Sequence, residues 1–91
     1  MHPVALQVQL VSAVSEVWSG EATMVSVRSV EGDLGIMPGH APTLVVLSQG
    51  EVRIHGTDGA QTATIDGGFM SVDHDKVVIV SETVSEGSLA R

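Results

Sequence analysis

Glu51-Val52-Arg53-Ile54-His55-Gly56-Thr57-Asp58-Gly59-Ala60-Gln61-Thr62-Ala63-Thr64-Ile65 reads as strand, turn, strand. Val52 and Ile54 alternate with Arg53 and His55. That period of two sends apolar side chains to one face of a pleated strand and polar ones to the other. Thr57-Asp58-Gly59 carries the Asp-Gly pair of a tight hairpin, whose backbone needs positive φ, and residues 61–65 return as the partner strand.

The alternation recurs upstream. Val4, Leu6, Val8 and Leu10 enclose Gln7 and Gln9 and predict a half-buried strand. A second short strand is predicted over residues 14–18, ending at the turn pair Ser19-Gly20. A third is predicted over 22–30, with Val25 and Val27 opposed to Ser26 and Arg28. Residues 31–42 hold too much Gly and Pro for a helix and read as loop, short strand, loop. Downstream, Asp66-Gly67-Gly68 makes a bend or bulge and residues 69–72 continue as a strand. Asp73-His74-Asp75 makes a turn, and Val77-Val78-Ile79-Val80 closes the set. The expectation is all-β: about eight to ten strands in a β-sandwich or flattened barrel of two antiparallel sheets. No helix is required, although residues 83–91 leave room to start one.

Composition narrows the class. At 91 residues the chain is one domain, assigned to residues 1–86 with a short tail at 87–91. Trp18 and Phe69 are its whole aromatic set, so Val, Leu, Ile, Ala and Met must fill the core. The net charge of −7 comes from 11 acids against 4 bases, and Arg28, Arg53, Lys76 and Arg91 stand singly. Such a chain lacks the basic cluster that holds a phosphate backbone or an anionic lipid surface. Nucleic acid and direct lipid insertion are therefore not expected. With no cysteine, disulfides and thiolate metal sites are excluded. The N-terminus has no basic n-region, and no apolar run nears the roughly 20 residues of a membrane helix. A soluble chain is expected, able to sit on a membrane complex.

Two segments break the rule of one apolar face. Leu44-Val45-Val46-Leu47 and Val77-Val78-Ile79-Val80 are apolar at every position. Either they form a corner or a side covered by a loop, or they give the sandwich an outer face that docks on another protein.

Reaction chemistry is sparse. His2, His40, His55 and His74 lack the close spacing of metal pairs, and Asp73-His74-Asp75 at a hairpin tip fans into water. No serine sits in a nucleophile elbow, and no carboxylate pair has apolar flanks. Gly32, Gly35 and Gly39 lack the helix and lysine of a phosphate loop. No catalytic, cofactor-binding or metal residue is assigned, and no cofactor is expected. Asp75-Lys76-Val77 is similar to the modified-lysine hairpin of lipoyl and biotinyl carrier domains. Only 15 residues follow Lys76, however, too few for the second half of such a domain. A small ligand- or protein-binding sandwich is the other alternative.

An ordered series of motifs resembles the N-terminal domain of the ATP synthase epsilon subunit. Val11-Ser12-Ala13 is followed by Val17-Trp18-Ser19-Gly20-Glu21-Ala22. Glu31-Gly32-Asp33-Leu34-Gly35-Ile36-Met37-Pro38-Gly39-His40-Ala41-Pro42 is close to the family hallmark, and Gly50-Glu51-Val52-Arg53-Ile54 and Asp66-Gly67-Gly68-Phe69 follow in order. The resemblance covers about residues 4–86. It implies a ten-stranded sandwich in the rotary central stalk, bound to the gamma subunit and to the polar loops of the membrane c-ring. It assigns Ser29, Val30, Glu31, Gly32 and Asp33 to the c-ring contact, and His40, Ala41, Pro42 and Thr43 to the gamma contact. It implies a non-catalytic subunit that couples proton-driven rotation to ATP synthesis, at the cytoplasmic face of a bacterial membrane. The chain stops at Ser88-Leu89-Ala90-Arg91, where the bacterial family starts a pair of helices, so hairpin inhibition and ATP sensing are not expected.

Overall fold

The computed structural model describes residues 5–56 and 59–86. Ten strands run along them: β1 Leu6–Val11, β2 Glu16–Ala22, β3 Met24–Ser29, β4 Gly32–Ile36, β5 Thr43–Leu47, β6 Gly50–Gly56, β7 Gly59–Ile65, β8 Gly68–Asp73, β9 Lys76–Val80 and β10 Val84–Glu86. The pairing order is β10-β7-β6-β3-β5-β8-β9-β1-β2, with β4 on the other edge of β3.

This path folds into two layers because β3 changes partner along its length. Its first half, Met24 to Ser26, pairs with β6, whereas Ser29 at its end pairs with Leu47 of β5. One layer is thus β10-β7-β6-β3-β4 and the other β5-β8-β9-β1-β2. At the seam between β2 and β6, the Thr23 amide and hydroxyl both donate to the His55 carbonyl oxygen, at 2.7 and 3.0 Å.

Alternation places the core between the layers. Leu6, Val8 and Leu10 of β1 meet Met70 and Val72 of β8 and Val77 and Ile79 of β9 from one side. Val25, Val27, Ile36, Val52, Ile54, Ala63 and Ile65 face them from the other. Valine and isoleucine suit this pleated surface. Ser81 is the one buried polar residue among those described. Its hydroxyl donates to Asp66 Oδ1 at 3.1 Å and lies as close to the Thr83 carbonyl oxygen.

The strand–turn–strand at residues 51–65 is realised as β6 and β7, with Gly56 paired to Gly59. Thr57 and Asp58 of the expected Asp-Gly turn lie outside the described residues. Several expectations need correction. Ser19-Gly20 is no turn: β2 runs through it, and the chain bends earlier, at residues 13–15. Asp73 ends β8, and the turn proper is His74-Asp75, both at positive φ (51° and 63°). Val80 does not close the set, because β10 pairs antiparallel with β7. Residues 84–86 are therefore strand, and the expected tail at 87–91 lies outside the described residues. Among the described residues all pairings are antiparallel but β1–β9, which is parallel in register Gln7↔Lys76 to Val11↔Val80.

Candidate docking surfaces

The two outer faces differ in kind. On the β10-β7-β6-β3-β4 layer the outward positions are mostly polar: Glu51, Arg53 and His55 on β6, Ser26 and Arg28 on β3, Asp33 on β4, with half-buried Met24 of β3 among them. Two ion pairs lie there, Arg53 to Glu51 at 3.0 Å and Arg28 to Asp33 at 3.4 Å. Both are well exposed, so each contributes at most about 1 kcal/mol.

The β5-β8-β9-β1-β2 layer is mixed. Its β1–β2 side is polar, where the Gln7 side-chain amide donates to Glu21 at 3.1 Å and that of Gln9 to Glu16 at 2.6 Å. The layer also carries an apolar patch that spreads from β5 across β8 and β9. Its registers align Val46, Phe69, Val80 and Val11 in one row across four strands. The next row contains Leu44, Ser71, Val78 and Gln9. Leu44 is 71% exposed, Phe69 53%, Val46 49% and Val80 44%. No described loop covers them, so the reading of a side covered by a loop does not hold for the described residues: they form an open apolar patch. Contiguous exposed apolar area of this sort marks an interaction surface. Phe69, its aromatic member, escaped the sequence reading. Gly68 opens a strand straight after the bend at Asp66-Gly67, and strand alternation then turns Phe69 outward while Met70 turns in.

The residues assigned to the c-ring form a hairpin turn beside this face. Ser29 ends β3, Val30 and Glu31 make the turn, and Gly32 opens β4 at φ 126°. The Ser29 hydroxyl accepts the Glu31 amide at 3.1 Å and donates to the Gly32 carbonyl oxygen at 2.8 Å. These bonds occupy the backbone and leave the Glu31 side chain in water. Val30 is 63% exposed, and its amide donates to the Val46 carbonyl oxygen at 3.1 Å. Asp33 carries the ion pair to Arg28.

The residues assigned to gamma lie at the other end of β5. Gly39 adopts φ 90°, and the His40 amide closes a turn on the Met37 carbonyl oxygen at 3.2 Å. His40 Nδ1 stands 2.7 Å from the Ala41 carbonyl oxygen, which also accepts the Thr43 hydroxyl at 2.8 Å. Pro42 leads into β5, where Thr43 pairs with Val72. Each assigned group is local, and the structure does not bring the two together: β5 separates them. The apolar row lies at the Val30 end, and Leu44 links it toward Thr43.

Among the described residues no group of three His, Asp or Glu side chains is gathered to hold a metal. Lys76 is not at a hairpin tip: it begins β9, paired with Asp73 and Gln7, and the tip belongs to His74 and Asp75.

The chain is thus a β-sandwich with one largely polar outer face, an exposed apolar patch on the other, and a charged turn at the rim of that patch. Residues 5–87 match the family described as ATP synthase, Delta/Epsilon chain, beta-sandwich domain, and the chain belongs to that family. It is 50% identical over 86 residues to the ATP synthase epsilon chain of Micrococcus luteus, covering 93% of this chain and 94% of that one. The ATP synthase epsilon chain of Streptomyces coelicolor is 49% identical over 78 residues, with 85% of this chain matched to 63% of the relative. The fold is similar to a chain in the Euglena gracilis mitochondrial ATP synthase OSCP/F1/c-ring structure, with a TM-score of 0.86 at 21% identity over 94% of this chain and 56% of that one. It is also similar to a chain in the Tetrahymena thermophila mitochondrial ATP synthase central stalk/c-ring, with a TM-score of 0.75 at 17% identity over 89% and 66% of the two chains.

Proposed function

We propose that this chain is a non-catalytic subunit of the central stalk of an F-type ATP synthase. In this reading it joins the gamma subunit to the polar loops of the c-ring and carries proton-driven rotation to catalytic sites elsewhere. It works at the cytoplasmic face of the membrane through the complex, with no lipid contact of its own. The observation that carries the reading is the apolar row Val46, Phe69, Val80 and Val11 bordered by the turn of residues 29–33.

The mechanism is mechanical. Torque passes through an element only if that element is stiff and held by two partners. Stiffness follows from pairing: every strand is hydrogen-bonded into one sheet wrapped on a single core, and close-packed interiors transmit strain. The apolar face supplies the desolvated centre of a gamma interface, extended toward residues 40–43 through Leu44. The turn at residues 29–33 offers the Glu31 carboxylate and the paired Asp33 to polar ring loops. With both contacts made, the sandwich moves as one body with gamma and the ring.

Co-purification tests it. The chain is expected to bind gamma alone, and to hold gamma and c-ring together more tightly than either pair. No binding to gamma, with or without the ring, overturns the proposal.

A further inference from the structure

The β8–β9 turn reaches back to the loop carrying His40. Asp75 Oδ1 accepts the Gly39 amide at 2.7 Å, a contact spanning 36 positions of sequence. The Asp75 carbonyl oxygen meanwhile accepts the Gln7 amide at 2.8 Å, where β1 begins alongside β9. One residue thus joins the first strand, the β8–β9 hairpin and the β4–β5 loop. Asp75 sits at φ 63°, in the left-handed region that few side chains other than Asn and Asp enter readily.

The rest of the loop's hydrogen bonding is local. His40 bonds back to Met37, and its ring and Thr43 both reach Ala41. Thr43, the first residue of β5, is the loop's immediate neighbour; among the described residues, the Asp75 carboxylate makes the one side-chain hydrogen bond that reaches residues 37–43 from elsewhere in the chain. Gly39, whose amide it takes, stands at φ 90°, a geometry glycine adopts without strain. The carboxylate therefore holds the loop at its most permissive backbone position. A charged acceptor makes a stronger bond to an amide than a neutral one.

We propose that Asp75 is a positioning residue for partner docking. It latches the His40 loop in the shape offered to gamma, so that removing the acceptor weakens docking while the docking residues stay intact. This rests on the reading above that residues 40–43 face gamma.

The test compares Asp75→Gly and Asp75→Asn in the full chain. Glycine keeps the left-handed turn without strain and removes the acceptor. Asparagine tolerates the same turn and keeps a side-chain oxygen for the Gly39 amide. For D75G the Gly39 amide is expected to exchange about tenfold faster in the free chain, and gamma to dissociate about 3- to 10-fold faster. D75N, whose neutral oxygen is a weaker acceptor, is expected between wild type and D75G on both readouts, and both variants to unfold near the wild-type midpoint.

Wild-type exchange and dissociation in D75G overturn the proposal, as does a D75N chain as impaired as D75G. Failure of the wild-type chain to bind gamma overturns the functional reading instead. Gly39 exchange in the free chain then still decides whether the latch exists.

Discussion

The indole of Trp18 lies over the Cα of Gly20 in the same strand. A Cβ built on Gly20 would stand 2.8 Å from Trp18 Cη2 and 3.0 Å from Cζ2. Both residues face inward, Trp18 opposite Leu10 and Gly20 opposite Val8. The glycine is therefore a seat for the ring. Its backbone freedom is not used, since it stays in extended strand.

Gly20→Ala is expected to destabilise the chain by about 1–3 kcal/mol, the range for overpacking a filled site. Gly20→Val should cost more, because the ring must leave. Trp18 is the sole tryptophan, so urea unfolding followed by its fluorescence reports both stability and displacement of the ring. A G20A chain as stable as wild type, with an unchanged emission spectrum, contradicts the seating.

Gly68 predicts a sharper effect than its neighbours in composition. It has φ 138°, and an added Cβ would overlap the Val80 carbonyl oxygen, with Ser81 Cα at 3.0 Å. Gly32 has φ 126° with nothing within 4 Å of its Cβ position. Gly32→Ala should therefore lose only the roughly 1–2 kcal/mol of left-handed strain. Gly68→Ala adds a backbone collision between β8 and β9, and should lose more than about 3 kcal/mol or fail to fold. Thermal unfolding of the two variants side by side checks the order.

The apolar face should separate binding from stability. Phe69 and Val46 pair across β8 and β5 but are about half exposed. Phe69→Ser with Val46→Ser is expected to change unfolding free energy by no more than about 1 kcal/mol in total, as exposed sites usually do. The same pair should raise the gamma dissociation constant at least about tenfold, since a buried aromatic anchor carries much of an interface's energy. Wild-type affinity in the double variant would remove this face from the gamma contact.

What the sequence disclosed follows from the range of the forces involved. The β6–β7 hairpin was legible because period-two alternation and the turn pair are local signals. Ser19-Gly20 misled because a glycine that makes room for Trp18 looks the same in sequence as one that turns the chain. β10 has three residues, too few for any period, and owes its existence to the β7 edge. The parallel β1–β9 pairing joins segments at opposite ends of the chain, and no neighbour in sequence encodes it. The docking face was half legible. The unbroken runs at 44–47 and 77–80 announced it, but only pairing through β8 sets Phe69 between Val46 and Val80. The latch from Asp75 to Gly39 was invisible for the same reason, being a contact between two turns.

The last prediction concerns the turn at residues 29–33. Its shape is held by the Ser29 hydroxyl and by Gly32, and the Glu31 side chain makes no hydrogen bond or ion pair among the described residues. Glu31→Lys should thus leave the unfolding free energy within about 0.5 kcal/mol of wild type. Asp33→Ala also removes the exposed pair to Arg28 and should cost less than about 1 kcal/mol. If the turn faces the ring, charge reversal at Glu31 places a cation where a carboxylate met polar loops, and like or unpaired charges at a contact cost affinity. In a reconstituted synthase, proton-driven ATP synthesis should fall with E31K, while ATP hydrolysis by the detached gamma-containing head stays at the wild-type rate. Equal loss of both activities would point to a folding or gamma defect, and full synthesis with E31K would remove Glu31 from the ring contact.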